Sequence, residues 1–162
     1  MASSGKINKK AGFGLAAIML AVPMTAFYEG TVLHTYRDPV GIPTACIGET
    51  DKEIVLQERF TEQECTAVLG ASMAVHAQEV ATCIDKPLQR HEAAAVLSWS
   101  YNIGSGAACK STLVKKINAG VPASEWCAEL WRWDKAGGKV LPGLTKRRGS
   151  EYLMCTTGKW KQ

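Results

Sequence analysis

The chain has 162 residues, of which 46% are hydrophobic and 21% charged, with a formal net charge of +4. That length allows one sizeable core or two small lobes sharing a helix, and the composition is globular. The charge suits an anionic envelope, but without an arginine-rich stripe it does not argue for nucleic acid, and no phosphate-cradling glycine motif indicates a nucleotide.

Lys6, Lys9 and Lys10 precede Ala11 to Tyr28, a span with no charged residue. A basic start followed by an apolar span is the layout of an export signal. As a helix the span would extend about 27 Å at ~1.5 Å per residue, marginal for a bilayer. Its Ala and Gly content, Pro23 and Thr25 soften it further. Cleavage near Met24-Thr25-Ala26 would leave Glu29 about three residues from a new N-terminus. The helical segment in front of that carboxyl would then be gone. The segment therefore reads as an uncleaved anchor over residues 1–27, followed by a single folded domain over 28–162.

Glu29 closes the apolar span, Asp38 follows nine residues later, and Thr44 six residues after that. Glycosidic hydrolysis typically uses two carboxyls in different environments, one donating a proton to the leaving oxygen and the other activating water or attacking the sugar. An acid beside an apolar segment and an acid in a turn could supply that asymmetry, although most carboxylates so spaced are merely solvated. Leu33 and Tyr36 lead into the turn Arg37-Asp38-Pro39-Val40-Gly41, and Thr44 to Gly48 reads as one strand of a small hairpin, with Thr44 and Cys46 on one face.

Thr61-Glu62-Gln63-Glu64 is a capping box, with Phe60 and Cys65 placed for a hydrophobic staple. Behind it Cys65, Val68, Leu69, Ser72, Met73, His76, Val80 and Ile84 recur at helical spacing, predicting a helix of about 23 residues that joins two lobes. Further helices are expected from His91 to Tyr101, Thr112 to Asn118, Ala123 to Trp131 and Thr145 to Cys155, the last weakened by Gly149. All five Trp lie in this second half. They could stack on sugar rings, but Trp126 and Trp131 read as core. Arg147 and Arg148 either pair with a carboxylate across the cleft or sit on a solvated face.

The six cysteines, Cys46, Cys65, Cys83, Cys109, Cys127 and Cys155, all lie beyond the apolar span and match no CxxC zinc pattern. His34, His76 and His91 are scattered, so no metal site is expected. Disulfides in an oxidising compartment explain the cysteines better than buried thiols. Positions along the chain suggest Cys46 with Cys65, Cys109 with Cys127, and Cys83 with Cys155.

Three blocks together carry a resemblance. Glu29-x8-Asp38-x5-Thr44, running on into Ala45-Cys46-Ile47-Gly48-Glu49-Thr50, is similar to the active-site signature of the phage-type lysozymes, glycoside hydrolase family 24. Trp99-Ser100-Tyr101-Asn102-Ile103-Gly104-Ser105-Gly106 with Ser111-Thr112-Leu113 resembles the family's central segment. Trp133-Asp134-Lys135-Ala136-Gly137-Gly138 with Pro142-Gly143-Leu144, Arg147-Arg148 and Glu151 resembles its C-terminal signature. The chain departs at Glu49, where the family often carries His, and the triad is intact.

The resemblance implies a lysozyme-like α+β fold: a small β-hairpin lobe, a larger helical lobe, a long helix between them, and here an N-terminal apolar helix. It implies an endolysin that hydrolyses the bonds between N-acetylmuramic acid and N-acetylglucosamine in peptidoglycan, with Glu29 as general acid and Asp38 and Thr44 holding the attacking water. No cofactor is expected. The partners would be glycan strands and, through the N-terminal segment, the host inner membrane; the protein would act as a monomer, tethered after export and then periplasmic. A lytic transglycosylase or a non-catalytic wall-binding lysis regulator are the alternatives, and the intact Asp38 and Thr44 argue against both. The apolar span also resembles that of signal-anchor-release endolysins. It contains no cysteine, so activation is expected by refolding after release.

Overall fold

The computed structural model describes residues 12–162, so Lys6, Lys9, Lys10 and Ala11 of the expected anchor lie outside the described residues. The first helix, α1, is Leu15–Glu29. Gly30 ends it with φ +75°, a conformation that costs glycine nothing, and its N–H bonds back to the Ala26 carbonyl. Pro23 sits inside α1, where it can donate no hydrogen bond to the preceding turn. Six residues of α1, Ala17, Ile18, Ala21, Val22, Met24 and Thr25, are buried. Among the described residues no helix is long and apolar enough to cross a membrane.

Strands β1 (Val32–Arg37) and β2 (Pro43–Cys46) form an antiparallel hairpin in which Tyr36 faces Thr44 and Val32 faces Cys46. The register shifts between those pairs. Simple alternation does not hold here. Thr44, Ala45 and Cys46 are all buried, and Cys46 adopts φ +53°, which turns the chain out of extended geometry and sends its sulfur to Cys65. Thr61 opens α2 (Glu62–Ala81) with the expected capping box: its hydroxyl accepts from Glu64 N, and Glu64 Oε2 accepts from Thr61 N. The helix is 20 residues long, ending before Ile84.

The centre of the molecule is α3 (Arg90–Ile103), in which Ala93 to Ser100 are buried without interruption. A helix buried on every side must be surrounded by other helices. Here α1, α2 and α7 (Pro142–Thr157) pack against it. Its small residues, the three consecutive alanines Ala93 to Ala95 and then Ser98, let those neighbours approach closely.

Of the remaining helices, α5 has the bounds the sequence predicts, and the others depart from them. Ser105–Lys110 forms a short helix, α4, that periodicity over six residues does not reveal; α5 is Thr112–Asn118, with Ser111 as its N-cap. The expected helix from Ala123 to Trp131 is α-helical only over Ala123–Trp126 (α6), then tightens into a 3-10 helix over Cys127–Trp133. A second hairpin, β3 (Lys135–Ala136) and β4 (Lys139–Val140), turns on Gly137 and Gly138, both at positive φ. The last helix begins at Pro142, three residues earlier than expected, because proline suits the first turn. Gly149 in its interior is explained by packing: a Cβ there would stand 3.2 Å from the Trp131 ring.

Disulfides link Cys46–Cys65, Cys83–Cys109 and Cys127–Cys155, so one expected pair is present and two are corrected. The cause is α4. It packs on α2 and carries Cys109 to the end of that helix, where Cys83 lies, leaving Cys127 and Cys155 to join the 3-10 segment to α7. Trp126 is core as expected, whereas Trp131 is 42% exposed and is not.

Candidate active site

Asp38 follows β1 directly and organises the turn with one carboxylate oxygen. Its Oδ1 accepts from Val40 N (2.9 Å) and Ile42 N (2.8 Å), and its own N–H donates to the Ile42 carbonyl. Thr44, 4% exposed on β2, donates its hydroxyl to that same Ile42 carbonyl at 3.0 Å. Asp38 and Thr44 are thus brought together through one residue, Ile42. The pattern leaves Asp38 Oδ2 and the lone pairs of Thr44 Oγ1 free of described protein partners.

Glu29 is placed by different elements. It ends α1, and Arg147 of α7 donates from Nη1 to its Oε1 at 2.5 Å. Arg147 is fixed in turn: Nε donates to Glu151 Oε1 (3.1 Å) and Nη2 to the Ser98 carbonyl (3.1 Å). Arg148 donates to Glu151 Oε2 (2.6 Å) and to Asn102, while Ser98 Oγ donates to Glu151 Oε1 (2.8 Å). Glu29 and Glu151 balance the two arginines, so the cluster is formally neutral. Its hub, Glu151, is 0% exposed. Burial pushes the Glu151 carboxyl above its ordinary value, with Arg148 and Arg147 opposing, and burial likewise lowers the Arg148 guanidinium. An ionic cluster of this kind adds little net stability when intact but is costly to break, because a buried charge is then left unpaired.

One residue before Glu29, Tyr28 reinforces the same junction. Its hydroxyl lies 2.6 Å from Ser150 Oγ and donates to the Lys146 carbonyl, while the Arg147 guanidinium stands 5.8 Å from the ring centroid. The last turn of α1 is therefore held to α7 on two sides of the acid.

Arg147, left open between pairing and solvation by the sequence, pairs with Glu29; Arg148 is wholly internal. Ser98 and the Tyr28–Ser150 contact carry no short-range signal, since their partners lie 53 and 122 residues away. The spacing of Arg147, Arg148 and Glu151, three and four residues apart on one helix, was the available signal for an ion cluster. A groove of about 650 Å³ lies beside the hairpin, lined by Glu49, Asp51, Ile54, Ser72, His76 and Tyr101 among others. None of the three predicted site residues lines it. In it His76 Nε2 contacts Ser100 Oγ at 3.0 Å, and burial lowers the imidazole below its ordinary value, with Glu79 and Ser100 opposing.

The family model described as phage lysozyme matches residues 26–151. A SAR-endolysin of Bacteriophage PS119 is 37% identical over 131 residues, covering 81% of this chain and 78% of that protein. A SAR-endolysin of Enterobacteria phage P21 is 38% identical over 130 residues, covering 80% and 78%. Among solved structures, a P22 lysozyme variant superposes with a TM-score of 0.75 at 24% identity, covering 85% of this chain and 95% of that one. An endolysin from Escherichia coli O157:H7 phage FAHEc1 gives 0.72 at 25%, covering 88% and 94%. These structural likenesses agree with the small hairpin and helical lobe described above.

Proposed function

Because this chain belongs to the phage lysozyme family, we infer that it is an endolysin, a glycoside hydrolase that degrades peptidoglycan for host lysis. We place cleavage at the glycosidic bond between N-acetylmuramic acid and N-acetylglucosamine. Glu29 acts as general acid on the leaving oxygen. A water donates one hydrogen bond to Asp38 Oδ2 and the other to Thr44 Oγ1, which leaves an oxygen lone pair free to attack the anomeric carbon; as that bond forms the water's proton passes to Asp38, and the leaving oxygen takes the proton of Glu29. The observation that supports this division is the hydrogen bonding of the hairpin: both Asp38 Oδ1 and the Thr44 proton are already committed to the Val40–Ile42 backbone. Only acceptor sites remain on both groups, and a water bound by two acceptors is oriented and made more basic.

The same reading assigns two roles to residues 1–27. Inserted in the inner membrane after export, the span tethers the chain. Released, its part from Leu15 onward forms α1, which ends at Glu29 and supports it. The two states compete for the same side chains, since Ile18, Val22 and Met24 cannot face both lipid and the α2–α3 core. While the span is in lipid, the ion pair between Glu29 and Arg147 is unavailable and the acid is unplaced. Activation is then a refolding event, and no cysteine of the span takes part.

The test is hydrolysis of purified peptidoglycan by the detergent-free protein and by Glu29→Gln. The amide cannot donate the proton, so turnover should fall by at least ~100-fold with the circular dichroism spectrum unchanged. Near-normal turnover by Glu29→Gln would sink the assignment.

A further inference from the structure

Helix α1 buries one face and leaves the other bare. Leu15 is 64% exposed, Met19 66% and Phe27 49%, and Pro23 between them is exposed as well. These four stand four residues apart and form one gently winding line, about 18 Å long at ~1.5 Å per residue. Beside the line an apolar groove of about 310 Å³ is walled on its far side by Thr66, Gly70 and Ala74 of α2. At its end Phe27 passes into a second concavity with Tyr28, Trp131 and Tyr152, which Lys146 and Lys161 also line. Trp160 packs against Phe27 there at 5.7 Å. No charged side chain of α1 interrupts the line before Glu29.

We propose that the folded protein, with α1 packed against α2 and α3, docks peripherally on an anionic lipid surface through Leu15, Met19, Pro23 and Phe27, with Trp131, Lys146 and Lys161 at its margin. An apolar stripe ending in Trp, Tyr and Lys has the chemistry of the boundary between acyl chains and headgroups, where aromatic rings and amines are both satisfied. The sequence adds Lys6, Lys9 and Lys10 just ahead of the stripe, and the whole chain is net +4. Both favour anionic headgroups over a neutral surface. Release from the bilayer and loss of contact with it thus become two separate events. The active form would remain at the membrane surface facing the wall.

The inference does not depend on the hydrolytic reading, because Glu29→Gln should dock as well as the parent. The experiment is co-sedimentation of the detergent-free full chain with vesicles of phosphatidylethanolamine and phosphatidylglycerol, and with vesicles of phosphatidylcholine alone. The parent should partition onto the anionic vesicles, leave them in ~1 M salt, and hydrolyse soluble peptidoglycan fragments while bound. Its tryptophan emission should shift to the blue, and Trp131→Phe should lose most of that shift. The double variant Met19→Gln/Phe27→Gln, at exposed positions that leave the core intact, should partition at least ~10-fold less with unchanged activity on soluble fragments. Equal binding to neutral vesicles, unchanged partitioning of the double variant, or attachment that resists salt and abolishes activity would each overturn the proposal. So would a double variant that keeps vesicle binding and instead loses sedimentation with isolated cell walls.

Discussion

Arg147 Nη1 meets Glu29 Oε1 at 2.5 Å across 118 residues of sequence, and the same guanidinium holds Glu151 and the Ser98 carbonyl. One side chain therefore ties α1 to both α3 and α7. Arg147→Lys cannot keep all three contacts, because an ammonium lacks the planar fork. Lysine should lower activity at least ~10-fold, and Arg147→Met should cost about 3 kcal/mol of stability by leaving Glu151 with a single cationic partner. Urea denaturation beside turnover measurements checks both, and a stable, fully active Arg147→Met would remove the cluster from any role in placing Glu29.

Asp38→Asn would replace one acceptor by an amide donor while the turn hydrogen bonds to Val40 and Ile42 can still be accepted by the remaining oxygen. Thr44→Ala removes the hydroxyl but leaves Tyr36 and position 44 paired. Both variants should lose most activity with melting temperatures within a few degrees of the parent, about what a single weakly coupled hydrogen bond contributes. Unfolding of either would mark the residue as structural instead.

The two glycines ahead of α1 should respond differently. At Gly14 an added Cβ meets no atom within 4 Å, so Gly14→Leu leaves the folded state possible while making the span more apolar. Gly12 has φ +82°, and a Cβ there would lie 2.3 Å from the Leu88 carbonyl oxygen. Gly12→Leu must therefore obstruct docking of the span as well. In an expression–lysis assay both should delay lysis. On purified, detergent-free protein Gly14→Leu should be active and Gly12→Leu destabilised.

Non-reducing peptide mapping should recover Cys46–Cys65, Cys83–Cys109 and Cys127–Cys155. Their sequence separations of 19, 26 and 28 residues correspond to about 3 kcal/mol each by loop-closure entropy. A Cys83→Ser/Cys109→Ser pair should lose roughly that amount. Recovery of Cys83 linked to Cys155 would contradict the placement of α4.

His76 predicts an acid-side loss of stability. Burial lowers its pKa below the ordinary 6.5, so the folded chain binds fewer protons there than the unfolded chain does. The stabilisation is complete above 6.5 and declines as pH falls through that value toward the lower folded one. Glu79, at 3.6 Å, opposes the shift, and Ser100 and Tyr101 face the ring. His76→Gln should show a flatter dependence of melting temperature between pH 7 and pH 5. Glu129, held low chiefly by its hydrogen bond from Lys116, acts in the same direction, its contribution declining as pH falls below the ordinary 4.5.

Local chemistry determined what the sequence alone could specify: an uncharged span ending at Glu29, the Thr61–Glu64 capping box, the α5 boundaries, and an Asp38–Thr44 hairpin whose spacing matches a family signature. Each rests on neighbours within a few residues, where propensity and hydrogen-bond geometry act directly. Only the tertiary structure decided the rest. Packing on α2 stabilises α4, which is too short for periodicity to show, and α4 sets two of the three disulfides. The expected helix over Ala123 to Trp131 tightens at Cys127, where the 3-10 segment packs on α7 and is joined to it by Cys127–Cys155. Trp131 stays exposed because the ring rests on Gly149 rather than entering the core. The partner of Glu29 lies 118 residues away. No short-range pattern can report such a contact, since it exists only once α1 and α7 both pack on the buried α3, and that packing is what a span inserted in lipid would forgo.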